Sequence, residues 1–182
     1  MTENATSADN QQGRPRKYPC HYVAGFVDGE GSFHIAVQRN PSTKLGWQVV
    51  PEFHISQHYA SVNVLETIKN TMQCGYLKPN HANSHDNTWV YVVRARRDLV
   101  DKIVPFFERY ELHTTKKHDF EKFAQVVGLM EAGEHRNDRG FAQILNIALS
   151  MNRNGSYRKI DWSDTLLGTL RDYTPNAVDN LR

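Results

Sequence analysis

The segment Tyr22–Ser32 (YVAGFVDGEGS) constrains this chain more than any other part of its sequence. On a helix, Gly25 and Gly29 lie four residues apart on one face, and small residues at this spacing let two helix backbones approach closely. Asp28 and Glu30 follow at the C-terminal end, where a carboxylate meets the negative end of the helix dipole. Because that placement costs stability, the segment predicts a capping role or a bound cation at this helix end.

Alternation of apolar and polar residues predicts two strands directly after this helix. The first strand covers residues 31–39, and the second covers residues 47–57 with Pro51 interrupting it. A helix over residues 61–73, stopped by Gly75, separates this hairpin from a second one. Two hairpins around a helix predict an α+β fold with one four-stranded antiparallel sheet backed by helices.

The second hairpin and the helices that follow it complete the predicted order α-β-β-α-β-β-α-α-α. Its strands are residues 76–80 and 88–95, joined by a loop at 81–87. The three helices of this order are one capped by Asp98 that ends near Tyr110, one beginning at Thr115 and one over 139–151, and a further helix is predicted to begin at Ser163. Residues 1–17 are predicted to be a disordered polar and basic arm, residues 18–170 a single domain, and residues 171–182 a C-terminal tail.

One face of the predicted sheet packs on the helices, and the other, here termed the polar face, carries side chains suited to base edges. Its members are Ser32, His34, Gln38, Gln48, His54, Ser56, Lys78, Asn80 and Thr88. A solvated face typically holds more Lys and Glu, whereas His, Gln, Asn and Ser form hydrogen bonds with bases, and a β-ribbon fits the major groove. The polar face therefore indicates nucleic-acid binding.

The distribution of charge along the chain indicates a polyanionic partner more clearly than the net charge does. The chain carries +2 overall, but residues 1–12 and 161–182 carry −2 each, which leaves +6 on residues 13–160. A basic loop over residues 152–159 (NRNGSYRK) adds to this distribution. Phosphate contacts supply most non-specific affinity for nucleic acids, although an ordinary solvated surface remains open on charge alone.

Other classes of protein are disfavoured by what the sequence lacks. Cys20 and Cys74 have no nearby second thiol, so neither a zinc ribbon nor a disulfide framework is indicated. No stretch approaches the apolar length of a membrane span, and the polar N-terminus resembles no secretory signal. An intracellular, soluble protein without a membrane partner is expected.

The tract VAGFVDGEG (23–31) resembles the motif of the LAGLIDADG homing endonucleases. In many members of that family, the motif has the sequence LAGFVDGDG or LAGFVDGEG. The tracts FHISQ (53–57) and PFFERYELHTTKKHDF (105–120) resemble that family's second strand and its lysine-bearing region. This resemblance covers residues from about 18 to 170. It implies the αββαββα homing-endonuclease fold, with a saddle-shaped sheet and extra C-terminal helices.

The resemblance also implies a metal-dependent cleavage site. Glu30, the second acid of the motif, corresponds to the metal ligand, with Gly29 beside it, whereas Asp28 is structural and helps to close the helix pair. Gln57 corresponds to the residue that orients water, and Lys116 or Lys117 to the lysine that stabilises the phosphate. Mg²⁺ is the expected cofactor, with Mn²⁺ substituting and Ca²⁺ binding without supporting cleavage.

A single copy of the motif implies a homodimer that cuts double-stranded DNA at a long pseudo-palindromic site and leaves short 3′ overhangs. The residues expected in the dimer interface are Val23, Ala24, Gly25, Phe26, Asp28 and Gly29. Those expected to contact DNA are Ser32, His34, Ala36, Gln38, Asn40, Gln48, Val50, Glu52, His54, Ser56, Lys78, Asn80, Thr88, Val90, Ser156, Arg158 and Lys159.

Two alternatives use the same fold. An RNA maturase would bind its own intron RNA and need not keep Glu30, and a non-catalytic DNA-binding regulator commonly loses the metal acids. The intact Glu30, Gln57 and Lys116 favour the nuclease without excluding a second activity on RNA. Its expected location is the bacterial cytoplasm or an organelle (chloroplast or mitochondrion) of the host genome.

Overall fold

The computed structural model describes residues 17–80 and 87–152, which form one antiparallel sheet backed by helices. The elements follow the predicted order. They are α1 (Cys20–Glu30), β1 (Gly31–Arg39), β2 (Trp47–His58), a 3₁₀ turn (Tyr59–Ser61), α2 (Val62–Met72), β3 (Tyr76–Pro79), β4 (Thr88–Val93), α3 (Arg96–Asp98), a π-helical stretch (Leu99–Ile103), α4 (Val104–Arg109), α5 (Lys116–Glu131), a second 3₁₀ turn (Glu134–Arg136) and α6 (Asp138–Leu149).

The four strands lie in the order β1-β2-β4-β3, and every neighbouring pair is antiparallel. Along β2, Phe53 is the last residue paired with β4, so the stretch that begins at Trp47 is paired with β1 alone. Pro51 lies in this one-sided stretch opposite Ile35 and does not interrupt the strand, contrary to prediction. A strand stretch with a partner on one side only is where proline is tolerated in a sheet.

The core lies between the sheet and the helices, and its centre is an aromatic cluster. Phe33 and Phe53 pair across β1 and β2 with ring centroids 5.2 Å apart. Phe33 also contacts Phe107 of α4 at 5.4 Å, and Phe120 and Phe123 of α5 at 5.3 and 5.4 Å. Because these rings are almost fully buried, each contributes roughly 1.5–3 kcal/mol by leaving water. This cluster fixes the start of α5 against β1.

Two helix boundaries differ from the prediction. The helix expected to be capped by Asp98 begins earlier, at Arg96, and Asp98 instead forms an ion pair with Lys102 at 2.8 Å, one turn further along. α2 ends at Met72 and is capped by Gln73, which adopts the left-handed conformation (φ 56°), so Gly75 is not its stop. Gly75 is needed in the turn into β3, because its φ is 73° and an added Cβ would lie 2.5 Å from the Val92 carbonyl oxygen.

Several predictions fall on residues outside the described ranges. They concern the N-terminal arm, most of the loop over 81–87, the basic loop beyond Asn152, the helix beginning at Ser163 and the tail. The predicted DNA contacts of Ser156, Arg158 and Lys159 are among them. No helix in the described part of the chain is long and apolar enough to cross a membrane.

Candidate active site

Glu30 is the last residue of α1 and is exposed, and β1 begins at the next residue. Gly31 makes this abrupt change possible. A Cβ on Gly31 would lie 2.5 Å from Val27 Cγ1 and 2.9 Å from the Val27 carbonyl oxygen, so only glycine fits here without displacing the helix. The Glu30 carboxylate has no hydrogen-bonding partner among residues 17–80 and 87–152, so it is free to bind a cation.

Lys116, the first residue of α5, lies against the same helix end. Its Nζ donates hydrogen bonds to the carbonyl oxygens of Val27 and Gly29, each at 3.1 Å. These carbonyls end α1 and carry its negative dipole end, so a partly buried ammonium stabilises them. Burial lowers the pKa of Lys116 below its ordinary value, while the charges of Asp28, Glu30 and Asp119 act in the opposite direction.

The geometry shows which of Lys116 and Lys117 lies near the end of α1, a choice that the sequence left open. Lys117 forms an ion pair with Glu111 at 3.0 Å, and this pairing raises the pKa of Lys117. Lys116 contacts the end of α1, so it is the lysine that the fold brings to Glu30.

Asp28 is directed toward its own chain. Its carboxylate accepts hydrogen bonds from the backbone N–H of His113 at 2.8 Å, from that of Thr114 at 3.1 Å and from Thr114 Oγ1 at 2.6 Å. Burial tends to raise the pKa of Asp28, but these hydrogen bonds hold it below its ordinary value. Thr114 Oγ1 in turn accepts from the backbone N–H of Lys116 at 3.2 Å. Asp28 therefore fixes the chain that leads into α5, a role that the expected helix-pair contact did not include.

Gln57 lies near the end of β2, two residues after Ile55, the partner of Gly31 in the sheet. Strand alternation places Gln57 on the side of Phe53 and Ile55, which is the side packed against α1. Its side chain is partly exposed there. β2 thus directs Gln57 toward the same side of the sheet as the end of α1.

The predicted dimer-interface residues of α1 fall into two groups. Gly25 and Gly29 are exposed and have open space where a Cβ would be, and Phe26 is partly exposed. Val23 is fully buried and Ala24 is 5% exposed. Val23 therefore has no surface to offer a second chain, because it packs inside its own chain, whereas the interface contact of Ala24 stays a prediction.

The polar face is ordered by cross-strand pairs between β1 and β2. From the Glu30 end outward, these pairs are Ser32–His54, His34–Glu52, Ala36–Val50 and Gln38–Gln48. At the outer end, Gln48 Oε1 accepts from Asn40 Nδ2 at 3.0 Å and from Gln38 Nε2 at 3.4 Å. Amide side chains held in this way present fixed donors and acceptors.

The second half of the polar face, on β3 and β4, requires one correction. The register places Lys78 opposite Val90, and the Asn80 N–H donates to the Thr88 carbonyl oxygen at 2.8 Å, so these residues belong together as expected. Val90, however, is only 4% exposed and lies beneath its neighbours. Its predicted contact with DNA is not available in this structure.

Sequence reasoning missed one cation on this face. Arg94 follows β4, in step with Val90 and Val92, and its Nε donates to Glu52 Oε2. The alternation of β4 could have placed Arg94 on the polar face, but its pairing with Glu52, 42 residues earlier, has no sequence signal.

The donor atoms at Glu30 fit a hard divalent cation. A carboxylate and a nearby backbone carbonyl oxygen are ligands that Mg²⁺ and Ca²⁺ prefer. Within residues 17–80 and 87–152 no group of three or more His, Cys, Asp and Glu could hold a metal ion. The described part of the chain thus offers Glu30 as a candidate cation ligand, without a surrounding cluster of such side chains.

The geometry defines a class of site: an exposed acid near a partly buried lysine, next to a polar sheet face. Comparison with known proteins identifies the class further. The family described as LAGLIDADG endonuclease matches residues 23–127, more than half of this chain. The chain belongs to the LAGLIDADG endonuclease family.

Individual relatives agree with this assignment. "Probable intron-encoded endonuclease 3" of Neurospora crassa is 36% identical over 152 residues, which cover 84% of this chain and 27% of that protein. "DNA endonuclease I-CeuI" of Chlamydomonas moewusii is 27% identical over 125 residues, 69% of this chain and 56% of that protein. The chain spans about a third or less of the length of the Neurospora relatives it matches, 27% and 32%.

Solved structures show the same fold. The homing endonuclease I-TnaI has a TM-score of 0.73 and 37% identity, and the match covers 86% of this chain and 98% of I-TnaI. I-SmaMI bound to cleaved DNA has a TM-score of 0.74 and 30% identity, covering 90% of this chain and 51% of that one. This chain therefore matches nearly all of I-TnaI and about half of I-SmaMI.

Proposed function

We propose that this chain is a site-specific DNA endonuclease that makes double-strand breaks by divalent-metal-dependent phosphodiester hydrolysis. The observation that carries the proposal is the position of Glu30. Its exposed carboxylate has no hydrogen-bonding partner in the described part of the chain, its charge interacts with that of Lys116, and it comes two residues before Ser32, the first residue of the polar face. The names of I-CeuI and I-SmaMI, a DNA endonuclease and a meganuclease bound to DNA, support this activity.

The active unit is proposed to be a homodimer. Each chain supplies one metal-binding acid, and the open glycines Gly25 and Gly29 give α1 a flat exposed surface for a second copy of the same helix. A two-fold axis along this helix pair would bring two Glu30 carboxylates together and direct the two polar faces along one duplex. The target is then a pseudo-palindrome, because identical surfaces contact its two halves.

Glu30 would hold the metal, with the Gly29 carbonyl oxygen as a second ligand through the lone pair that Lys116 does not use. A bound Mg²⁺ would neutralise phosphate charge and lower the pKa of water. Lys116, held by two carbonyl oxygens, places a fixed positive charge where the phosphate gains negative charge. Gln57, with one donor and one acceptor group, would orient the attacking water.

Mg²⁺ is the proposed cofactor, with Mn²⁺ substituting. An I-SmaMI structure with an uncleaved DNA target in the presence of calcium ions supports a divalent site in which Ca²⁺ binds without supporting cleavage. The intron-encoded names of the relatives support an intracellular setting, in a bacterium or an organelle. The proposed DNA contacts are the polar face together with Ser156, Arg158 and Lys159.

The test is cleavage of a randomised plasmid library in Mg²⁺, followed by sequencing of the ends. We expect breaks with short 3′ overhangs at one pseudo-palindromic site. Glu30→Gln should abolish the breaks, and Glu66→Gln, which changes an exposed acid of α2, should leave them unchanged. Absence of site-specific breaks with the wild type would overturn the proposal, and a DNA complex containing one chain per site would overturn the homodimer.

A further inference from the structure

Arg94 is placed on the polar face by the pairing of β4 with β2. Phe53 pairs with Val93, the last residue of β4. Arg94, which follows Val93, and Glu52, which precedes Phe53 in β2, therefore lie side by side on the opposite face of the sheet. The Arg94 side chain is 49% exposed. It is a half-exposed cation on a surface made mostly of amides, hydroxyls and imidazoles, with Lys78 of β3 as another cation there.

The contact between Arg94 and Glu52 uses only part of the guanidinium. Nε donates to Glu52 Oε2, and neither terminal amino group has a hydrogen bond to residues 17–80 or 87–152. A guanidinium held by Nε keeps its plane and leaves the two terminal nitrogens as a pair of parallel donors. Arg94 is therefore oriented by the protein and still able to bind a ligand with two adjacent acceptors.

Glu52 is itself fixed in place. Its side chain is only 14% exposed, and its other oxygen lies 3.3 Å from His54 Nδ1. Burial tends to raise the pKa of Glu52, but His54 and Arg94 lower it to about 2, so the carboxylate stays charged at neutral pH. A negative, immobile partner lowers the entropy that Arg94 loses when it binds.

In the major groove, guanine presents two adjacent acceptors, O6 and N7, and arginine bonds to both at once. The Ala36–Val50 pair, next to His34–Glu52 along the sheet, carries no donor that would compete for them. We infer that Arg94 recognises a guanine in each half of the DNA target and that Glu52 is the positioning residue that holds it. This inference rests on the proposed function, because it assumes that duplex DNA lies on the polar face.

The position of this guanine can be estimated. His34, the partner of Glu52, lies four residues after Glu30, which is about 13 Å along a strand. With a rise of about 3.4 Å per base pair, the guanine lies roughly four base pairs from the phosphate at Glu30.

To test this inference, the full chain is used to select the duplexes that it binds from a library of random double-stranded DNA. The selection is carried out in Ca²⁺, so that it measures binding and does not require cleavage. The wild type is expected to select guanine at one position in each half-site. Arg94→Ala should lower that preference roughly tenfold to a hundredfold. Arg94→Gln should change the preference to adenine, which glutamine contacts through N6 and N7. Loss of folding cannot produce this switch.

Two further variants distinguish the role of Arg94 in base contact from the role of Glu52 in positioning it. Glu52→Gln should weaken the guanine preference less than Arg94→Ala does. Arg96→Ala is the matched control, because Arg96 is similarly exposed at 43% and has a similar acidic partner, Glu131 at 3.7 Å on α5. It should leave every base preference unchanged.

The remaining outcomes distinguish the inference from the proposed function. If Arg94→Ala lowers affinity equally for all sequences and flattens its salt dependence, Arg94 contacts phosphate and the inference is overturned. The same holds if the wild type selects no guanine that depends on Arg94. If guanine selection is found but Mg²⁺ produces no cleavage, the inference stands and the proposed nuclease activity fails.

Discussion

Lys116 donates a hydrogen bond to the carbonyl oxygen of Gly29, the residue that precedes Glu30, at 3.1 Å. The Lys116 ammonium is thus held at this helix end by two backbone carbonyl oxygens, and it forms no hydrogen bond with the carboxylate of Glu30. In the proposed site, Glu30 would bind the cation while Lys116 keeps these backbone contacts.

Lys116→Met should abolish most cleavage without weakening DNA binding. Removing one preorganised charge from a phosphate-cleaving site is expected to lower the single-turnover rate about 100-fold or more. Lys117→Met is the control, because Lys117 pairs with Glu111 away from α1. Single-turnover cleavage and gel-shift affinity measure the two effects, and a larger loss in Lys117→Met would reverse the assignment.

Asp28→Asn should destabilise the chain by about 1–2 kcal/mol, because an amide replaces a carboxylate that accepts from two backbone N–H groups and a hydroxyl. Thr114→Val, which removes the hydroxyl alone, should cost less. Urea unfolding at neutral pH measures both. If Asp28→Asn leaves stability unchanged and only weakens dimerisation, then Asp28 acts at the helix pair instead.

Gly31→Ala should destabilise the fold by about 1–3 kcal/mol, because the added methyl overlaps Val27 at the junction of α1 and β1. Gly128→Ala on α5 is a suitable control, since a methyl group added there would have nothing within 4 Å. Thermal unfolding compares the two. Equal melting temperatures would show that the helix end adjusts without cost.

Gly25→Leu tests the proposed dimer seam. Open space surrounds Gly25 in one chain, so a leucine should leave the folded monomer intact while it separates two α1 helices that would otherwise touch. Sedimentation should show a shift from dimer to monomer, with the circular dichroism spectrum unchanged. A variant that remains dimeric would place the interface on another surface.

The lowered pKa of Glu52 predicts that the free energy of unfolding depends on pH. Its pKa is lowered to about 2 in the folded chain, from an ordinary value of 4.5, so the unfolded chain takes up a proton first as the pH falls. The pairing with Arg94 and His54 should therefore stabilise the wild type over Glu52→Gln by about 1–2 kcal/mol above pH 5, after allowance for the half-exposed Arg94. This advantage should disappear between about pH 4.5 and pH 2. Urea unfolding across that range measures it, and an advantage that grows with acid would contradict the pairing.

The local elements of this fold could be predicted because short-range patterns specify them. β1 has the predicted bounds, Gly31–Arg39, and the alternation of β2 separates Phe53 and Ile55 from His54 and Ser56 as expected. A strand whose faces differ this clearly has only one register that buries the apolar residues. Glu30 and the open glycines likewise follow from the motif itself.

The contacts that assemble the site could not be predicted, because they join residues far apart in the chain. Asp28 and Thr114 are 86 residues apart, and no local preference pairs them. The choice between Lys116 and Lys117 depends on the rotation of α5, which the aromatic packing of Phe120 and Phe123 on Phe33 determines. The burial of Val23 and Ala24 depends in the same way on which side of α1 meets the sheet.

β2 has a consequence for how this chain could acquire a new DNA target. One continuous strand carries the polar-face residues Gln48 to Ser56 and then Gln57 near its end. Adding or deleting one residue within it would exchange its two faces and move Gln57 out of place. Under the proposed function, a new target would therefore arise by side-chain substitution along β2, whereas an insertion or deletion there would displace the polar face and Gln57 in the same step.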